Sequence, residues 1–177
     1  MTTTPDLRYP VGEFVPPGTL SDAQRREFID QIGVAPARLS AAVAGLSSEQ
    51  LATPYRPGGW AVRQLVHHIA DSHMNAFARF KLTLTEDEPS LKTYEESLWA
   101  ELADGSAPPI EISLALLENL HKRWELLLRS VKPAEWQRKF RHPGWGVETL
   151  DFLLAQYAWH GRHHVAHITS LRERNGW

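Results

Sequence analysis

Apolar positions along this chain recur at steps of three and four rather than two. The last such stripe, Leu153, Tyr157, His160, His164, Ile168 and Leu171, traces one ridge of a helix predicted from about Leu150 to Arg174. Thr149 caps its start, and Asn175-Gly176 ends it. A leucine-rich stripe, Leu114, Leu117, Leu120, Trp124 and Leu127/Leu128, predicts a second helix over roughly 112–131, and it reads as plain core. A third stripe, Ala61, Leu65, His68, Ser72 and Asn75, with Val62 and Ile69 beside it, predicts a helix from about Ala61 to Thr83. That helix ends before Glu86-Asp87-Glu88-Pro89, because acidic groups disfavour a helix C-terminus and proline blocks continuation. Near the N-terminus Ser21-Asp22-Ala23-Gln24 forms a capping box, which starts a helix running to about Gly45 with a kink at Pro36. Ser47-Ser48-Glu49-Gln50 repeats the capping pattern over one short turn.

Four helices of about 20 residues without convincing strands predict an all-α fold, a four-helix bundle. The segment 84–111, with one short helix between Thr93 and Leu102, is too long for a tight turn and is predicted to be a crossover. Residues 140–147, with Pro143 and Gly144, read as a loop or small hairpin. Residues 1–20, broken by Gly12 and Pro16-Pro17-Gly18, form an irregular arm expected to wrap the domain or meet a partner subunit.

The chain has 177 residues, which is the size of a single domain (1–177) with one substantial core. A net charge of −2 offers no electrostatic handle for nucleic acid or an anionic membrane. With no cysteine there is no disulfide, thiolate ligand or cysteine nucleophile. No apolar run approaches a membrane span, and Met1-Thr2-Thr3-Thr4-Pro5-Asp6 lacks a signal-peptide pattern, so a cytoplasmic location is expected.

Chemistry enters with the histidines. Four of the nine lie within residues 160–167. His160 and His164 are four apart on the apolar ridge, where two imidazoles stacked on one helix face can grip a single ion. His163 and His167 share that spacing but follow a polar path, Gln156, His163, His167, Ser170 and Arg174, expected to face solvent or a partner. A third ligand must come from another helix. In Val66-His67-His68-Ile69-Ala70-Asp71-Ser72-His73, His68 is on the inward ridge and His67 about a hundred degrees away. The expected ligands are therefore His68, His160 and His164. His67 and His73 are read as flanking or surface residues, and His163 flanks the site or lies outside it. Asp71, one turn beyond His68, is a candidate acceptor for a ligand imidazole's second N–H. Trp60, Tyr55 and Arg56 border the same helix and are candidates to shape the pocket, as are Asn75 and Ser72 on the ridge of His68.

Motifs for serine hydrolases, dinucleotide folds, P-loops and HExxH zincins are absent, and the inward ridges lack the Glu-x-x-His pairs of di-iron bundles. A mononuclear site is favoured.

Gly58-Gly59-Trp60, then His68-Ile69-Ala70-Asp71 and His160-x-x-x-His164, resemble the DinB-like superfamily of metal-binding four-helix bundles. Further segments bring the resemblance to its YfiT-type branch: Leu7-x-Tyr9-Pro10-x-Gly12, Thr53-Pro54-Tyr55-Arg56, His67 to Asn75, Arg79-Phe80-Lys81-Leu82 and Trp159-His160 through Thr169. The resemblance spans nearly the whole chain. It implies one divalent ion, zinc before nickel, on His68, His160 and His164, together with a cytoplasmic homodimer. It also implies either metal-dependent hydrolysis of a small molecule or S-transfer from a low-molecular-weight thiol of the bacillithiol type. From the residues alone, hydrolysis by an activated water comes first, thiol transfer second, and a non-catalytic metal-binding module third.

Overall fold

The computed structural model describes residues 6–177; Met1 to Pro5, the start of the arm and most of the segment read for a signal peptide, lie outside the described residues. Four long helices form the bundle: α1 (Asp22–Val43), α3 (Val62–Thr85), α6 (Ile110–Ser130) and α7 (Leu150–Asn175). Short helices α2 (Ser48–Leu51), α4 (Glu96–Ala100) and α5 (Ala103–Ser106) fill the connections. The expected crossover is therefore two short helices rather than one.

Local chemistry accounts for the ends. Ser21 and Gln24 exchange capping hydrogen bonds at the start of α1, and Ser47 and Gln50 do so at α2. Thr149 caps α7, which stops at Gly176 in the left-handed conformation, φ +68°. Pro36 is accommodated inside α1.

Both α1 and α3 pack against α6 and α7. The core divides into two apolar clusters. One gathers Ile29, Ile32, Phe80, Trp124, Leu128, Leu153 and Leu154; the other gathers Leu39, Leu65, Val66, Ile69, Leu117, Ile168 and Leu171. On every bundle helix the residues between the clusters include polar or small ones: Gly33 and Ala35 on α1, Ser72 and His73 on α3, His121 on α6, His160 and Gly161 on α7. A polar layer thus crosses the middle of the bundle.

Of the two readings of residues 140–147, loop or small hairpin, the structure has the hairpin, β1 (Lys139–His142) antiparallel with β2 (Gly146–Thr149). The crossover docks on it through hydrogen bonds between Leu91 and Arg141 and between Arg141 and Pro89, which supply partners that a four-residue strand cannot find along its own sequence. One expectation is corrected: His163 and His167 do not face solvent, being 7% and 3% exposed. The N-terminal arm covers them: Tyr9 lies 6.2 Å from His163 between ring centroids, and the Arg8 carbonyl accepts from His167 Nε2 at 3.1 Å. Among the described residues no helix is long and apolar enough to cross a membrane.

Candidate metal centre

His68 on α3 and His160 and His164 on α7 converge across the bundle, each offering a nitrogen within 4.8 Å of the others. Their ring centroids are 5.6 Å (His68–His160), 5.1 Å (His68–His164) and 4.4 Å (His160–His164) apart. Burial keeps the trio neutral. It lowers the pKa of His68 to about 4, and it holds His160 and His164 well below 6.5, with neighbouring imidazoles adding to the effect. Neutral imidazole is the ligand form.

A second group, His163, His164 and His167, is equally close. Hydrogen bonding separates the two sets. His167 spends both nitrogens, Nε2 on the Arg8 carbonyl and Nδ1 at 3.4 Å from His164 Nδ1. His163 stacks on Trp159 with centroids 4.3 Å apart. His164 Nε2 is left for the first set. His160 has its Nδ1 3.1 Å from His73 Nε2, while its Nε2 lies 3.4 Å from the Ser72 hydroxyl. His160 and His164 on α7, with His68 on α3 packed against Trp60 at 4.6 Å, make a set of three imidazoles whose nitrogens are close enough to hold one metal ion.

The trio opens on a cavity of about 380 Å³ whose walls include Tyr55, Arg56, Trp60, Glu96, Gln156 and Trp159. A smaller cavity of about 180 Å³ adjoins it through Glu96, Gln156 and His160, with Arg79, Tyr94 and Tyr157 behind. Arg79 donates to Tyr157 Oη at 3.2 Å and to the Lys92 carbonyl at 3.0 Å.

The remaining sequence candidates are distributed unevenly. Tyr55, Arg56 and Trp60 line the cavity as expected. Ser72 contacts His160, but the Asn75 side chain turns back to the Asp71 carbonyl at 2.9 Å. Asp71 is half-buried beside Asp104, where desolvation raises its pKa to about 6, and the partner of His160 Nδ1 is His73 Nε2 instead. His67 is buried and engages Ser113 Oγ at 2.7 Å and the Pro108 carbonyl at 3.3 Å, on the side of α3 that meets α6. His73, read as flanking or at the surface, is 1% exposed and contacts both His121 and His160. His121 and Glu96 were missed. His121 follows Leu117 and precedes Trp124 and Leu128 on one ridge of α6, so a polar residue in an apolar stripe was the available signal. Glu96 carried none, since only the crossover's path brings it to the cavity.

The chain is similar to several known proteins. A Bacillus mycoides protein named "putative metal-dependent hydrolase" is 51% identical over 97% of this chain and 99% of its own length. A Bacillus cereus protein of the same name is 49% identical over the same shares. The structure of YfiT from Bacillus subtilis, described as "a probable metal-dependent hydrolase with an unusual four-helix bundle topology", matches with a TM-score of 0.94 and 47% identity, covering 97% of this chain and 98% of that one. The family signature of the DinB superfamily matches residues 31–168. The chain belongs to the DinB superfamily.

Proposed function

We propose that this protein is a metal-dependent hydrolase of a small-molecule substrate, with one divalent ion held by His68, His160 and His164. The observation that carries the reading is a trio of neutral imidazoles, His68 and His164 buried and His160 half-buried, at the foot of an open cavity of about 380 Å³. Such an ion, held by uncharged ligands with a position left open, supplies Lewis acidity that makes water or a thiol ionise near neutral pH. Zinc is the first choice and nickel the second, since both accept imidazole nitrogen.

The chain's own residues do the rest. Trp60 and Trp159 wall the cavity and exclude water from one side of the substrate. Glu96 stands on the rim shared by both cavities, and partial desolvation raises its pKa, which suits a carboxylate that takes up a proton at its side-chain oxygens. Gln156 and Arg56 offer hydrogen-bond donors to a polar substrate group. A second reading, S-transfer from a low-molecular-weight thiol, is favoured by the absence of cysteine: the open cavity would have to receive its sulfur nucleophile from outside. The protein is proposed to act as a cytoplasmic homodimer, for which exposed Leu98, Leu102 and Ile112 offer apolar surface.

Elemental analysis of the purified protein should give one zinc or nickel per chain, and His164→Ala should abolish it without unfolding the bundle. Chelation should stop turnover of ester and amide substrates, and added metal should restore it. Full turnover after chelation would remove the ion from the reaction. Consumption of a haloaromatic only when a thiol is supplied would replace hydrolysis by S-transfer. A large drop in melting temperature on chelation, with no reaction found, would leave a structural ion.

A further inference from the structure

The polar layer between the two apolar clusters contains a chain of hydrogen bonds with one possible direction. Pro36 lacks an N–H, so the carbonyl of Ile32, four residues earlier in α1, loses its helical partner. His121 Nδ1 lies 2.7 Å from that carbonyl oxygen. His121 Nε2 is 2.8 Å from His73 Nδ1, and His73 Nε2 is 3.1 Å from His160 Nδ1. His121 and His73 are 2% and 1% exposed, and the void beside them, about 10 Å³, has barely room for one water.

A neutral imidazole has one N–H and one lone pair, and a carbonyl only accepts. His121 must therefore donate from Nδ1 to Ile32, which leaves its Nε2 as an acceptor. His73 must then donate from Nδ1 and accept at Nε2. His160 in turn donates from Nδ1, and its Nε2 keeps a lone pair. His164 is set in the same sense by a shorter path, His167 donating from Nε2 to Arg8 and accepting from His164 Nδ1.

We propose that Pro36, His121 and His73 are positioning residues of the metal centre: the carbonyl that Pro36 frees orders the tautomers of three imidazoles so that His160 turns its Nε2 lone pair to the ion. The proposal rests on the metal reading of the site, but the hydrogen-bond order can be read without metal. Which ring nitrogen of a histidine serves as ligand is set by the hydrogen bond the other one makes.

The test uses the full-length, metal-free, ¹⁵N-labelled protein. Long-range ¹H–¹⁵N correlation spectra should show His121, His73 and His160 all protonated at Nδ1. In His121→Phe the Nδ1 preference of His73 and His160 should be lost, and zinc affinity, measured by competition with a chromophoric chelator, should fall about 10–100-fold. His121→Gln, which keeps an acceptor for His73, should recover most of it. Pro36→Ala returns an N–H to compete for the Ile32 carbonyl and should move the His121 Nδ1 proton upfield. An Nε2–H tautomer at His73 or His160 in the wild-type protein, or wild-type zinc affinity in His121→Phe, would overturn the proposal. If His121→Phe does not fold, an unmoved His121 proton in Pro36→Ala overturns the part assigned to the proline. Failure of the wild-type protein to bind zinc while the Nδ1–H order persists would overturn the metal reading and leave the hydrogen-bond order standing.

Discussion

Single residues in this molecule act through the groups they leave satisfied. Asp151 is 1% exposed, yet its carboxylate receives four donors: Arg25 Nε at 2.7 Å and Arg25 Nη2 at 2.8 Å, the Leu20 backbone at 3.1 Å and Gln137 Nε2 at 2.7 Å. Hydrogen bonding to Asp151 raises the pKa of Arg25, so the guanidinium stays charged inside the protein. Asp151→Ala would leave that charge without its main partner and should destabilise the fold by about 3–5 kcal/mol in urea melts. Zinc affinity should not change, because Asp151 is about two and a half turns from His160, the nearest proposed ligand on α7. A loss below about 1 kcal/mol would mean that water replaces the carboxylate.

At the scale of elements, α7 packs on α1 at Gly161, where an added Cβ would come within 3.3 Å of Ala35 Cβ and 3.9 Å of His73. The glycine adjoins His160 in the polar layer, so the approach of α7 to α1 and the seating of the ligand are set together. Gly161→Leu should push the helices apart, costing about 1–3 kcal/mol by overpacking and weakening zinc binding in the same variant. Unchanged zinc affinity in a destabilised Gly161→Leu protein would separate helix packing from ligand placement. The hairpin and crossover illustrate the opposite case. Each is short, and the two support one another where Pro89 and Leu91 hydrogen-bond to Arg141.

For the whole molecule the buried histidines make stability depend on pH. His68 and His121 titrate near 4 when folded, against 6.5 when unfolded, because burial penalises the cation. Above about 6.5 both states are neutral and nothing is lost. Between 6.5 and 4 the unfolded chain takes up protons that the folded protein refuses, so stability drops as pH falls through that window. Each group with such a shift contributes roughly 3 kcal/mol over the full range. Urea midpoints of the metal-free protein should therefore decline from pH 7 to pH 5, and metal occupancy should decline with them, since protons compete for the same nitrogens. A flat stability profile across this window would show that the imidazoles accept protons in the folded state.

The sequence by itself determined the helices, their caps and the ridges on which His68, His160 and His164 lie, because these depend on residues a few positions apart. It also marked Pro36 as a break in the ladder of α1 and His160 with His164 as a candidate ligand pair. It could not say which faces meet. That Ile32, 89 positions from His121, lends it a carbonyl, or that Arg8, 159 positions from His167, covers what looked like a solvent face, was decided only when the helices and the arm packed. His73 and Glu96 gained their places in the same way, one between two other helices and one on the path of the crossover. Spacing along a chain fixes what shares a surface, whereas hydrogen bonds and metal sites are made between surfaces, and only the tertiary structure brings those together.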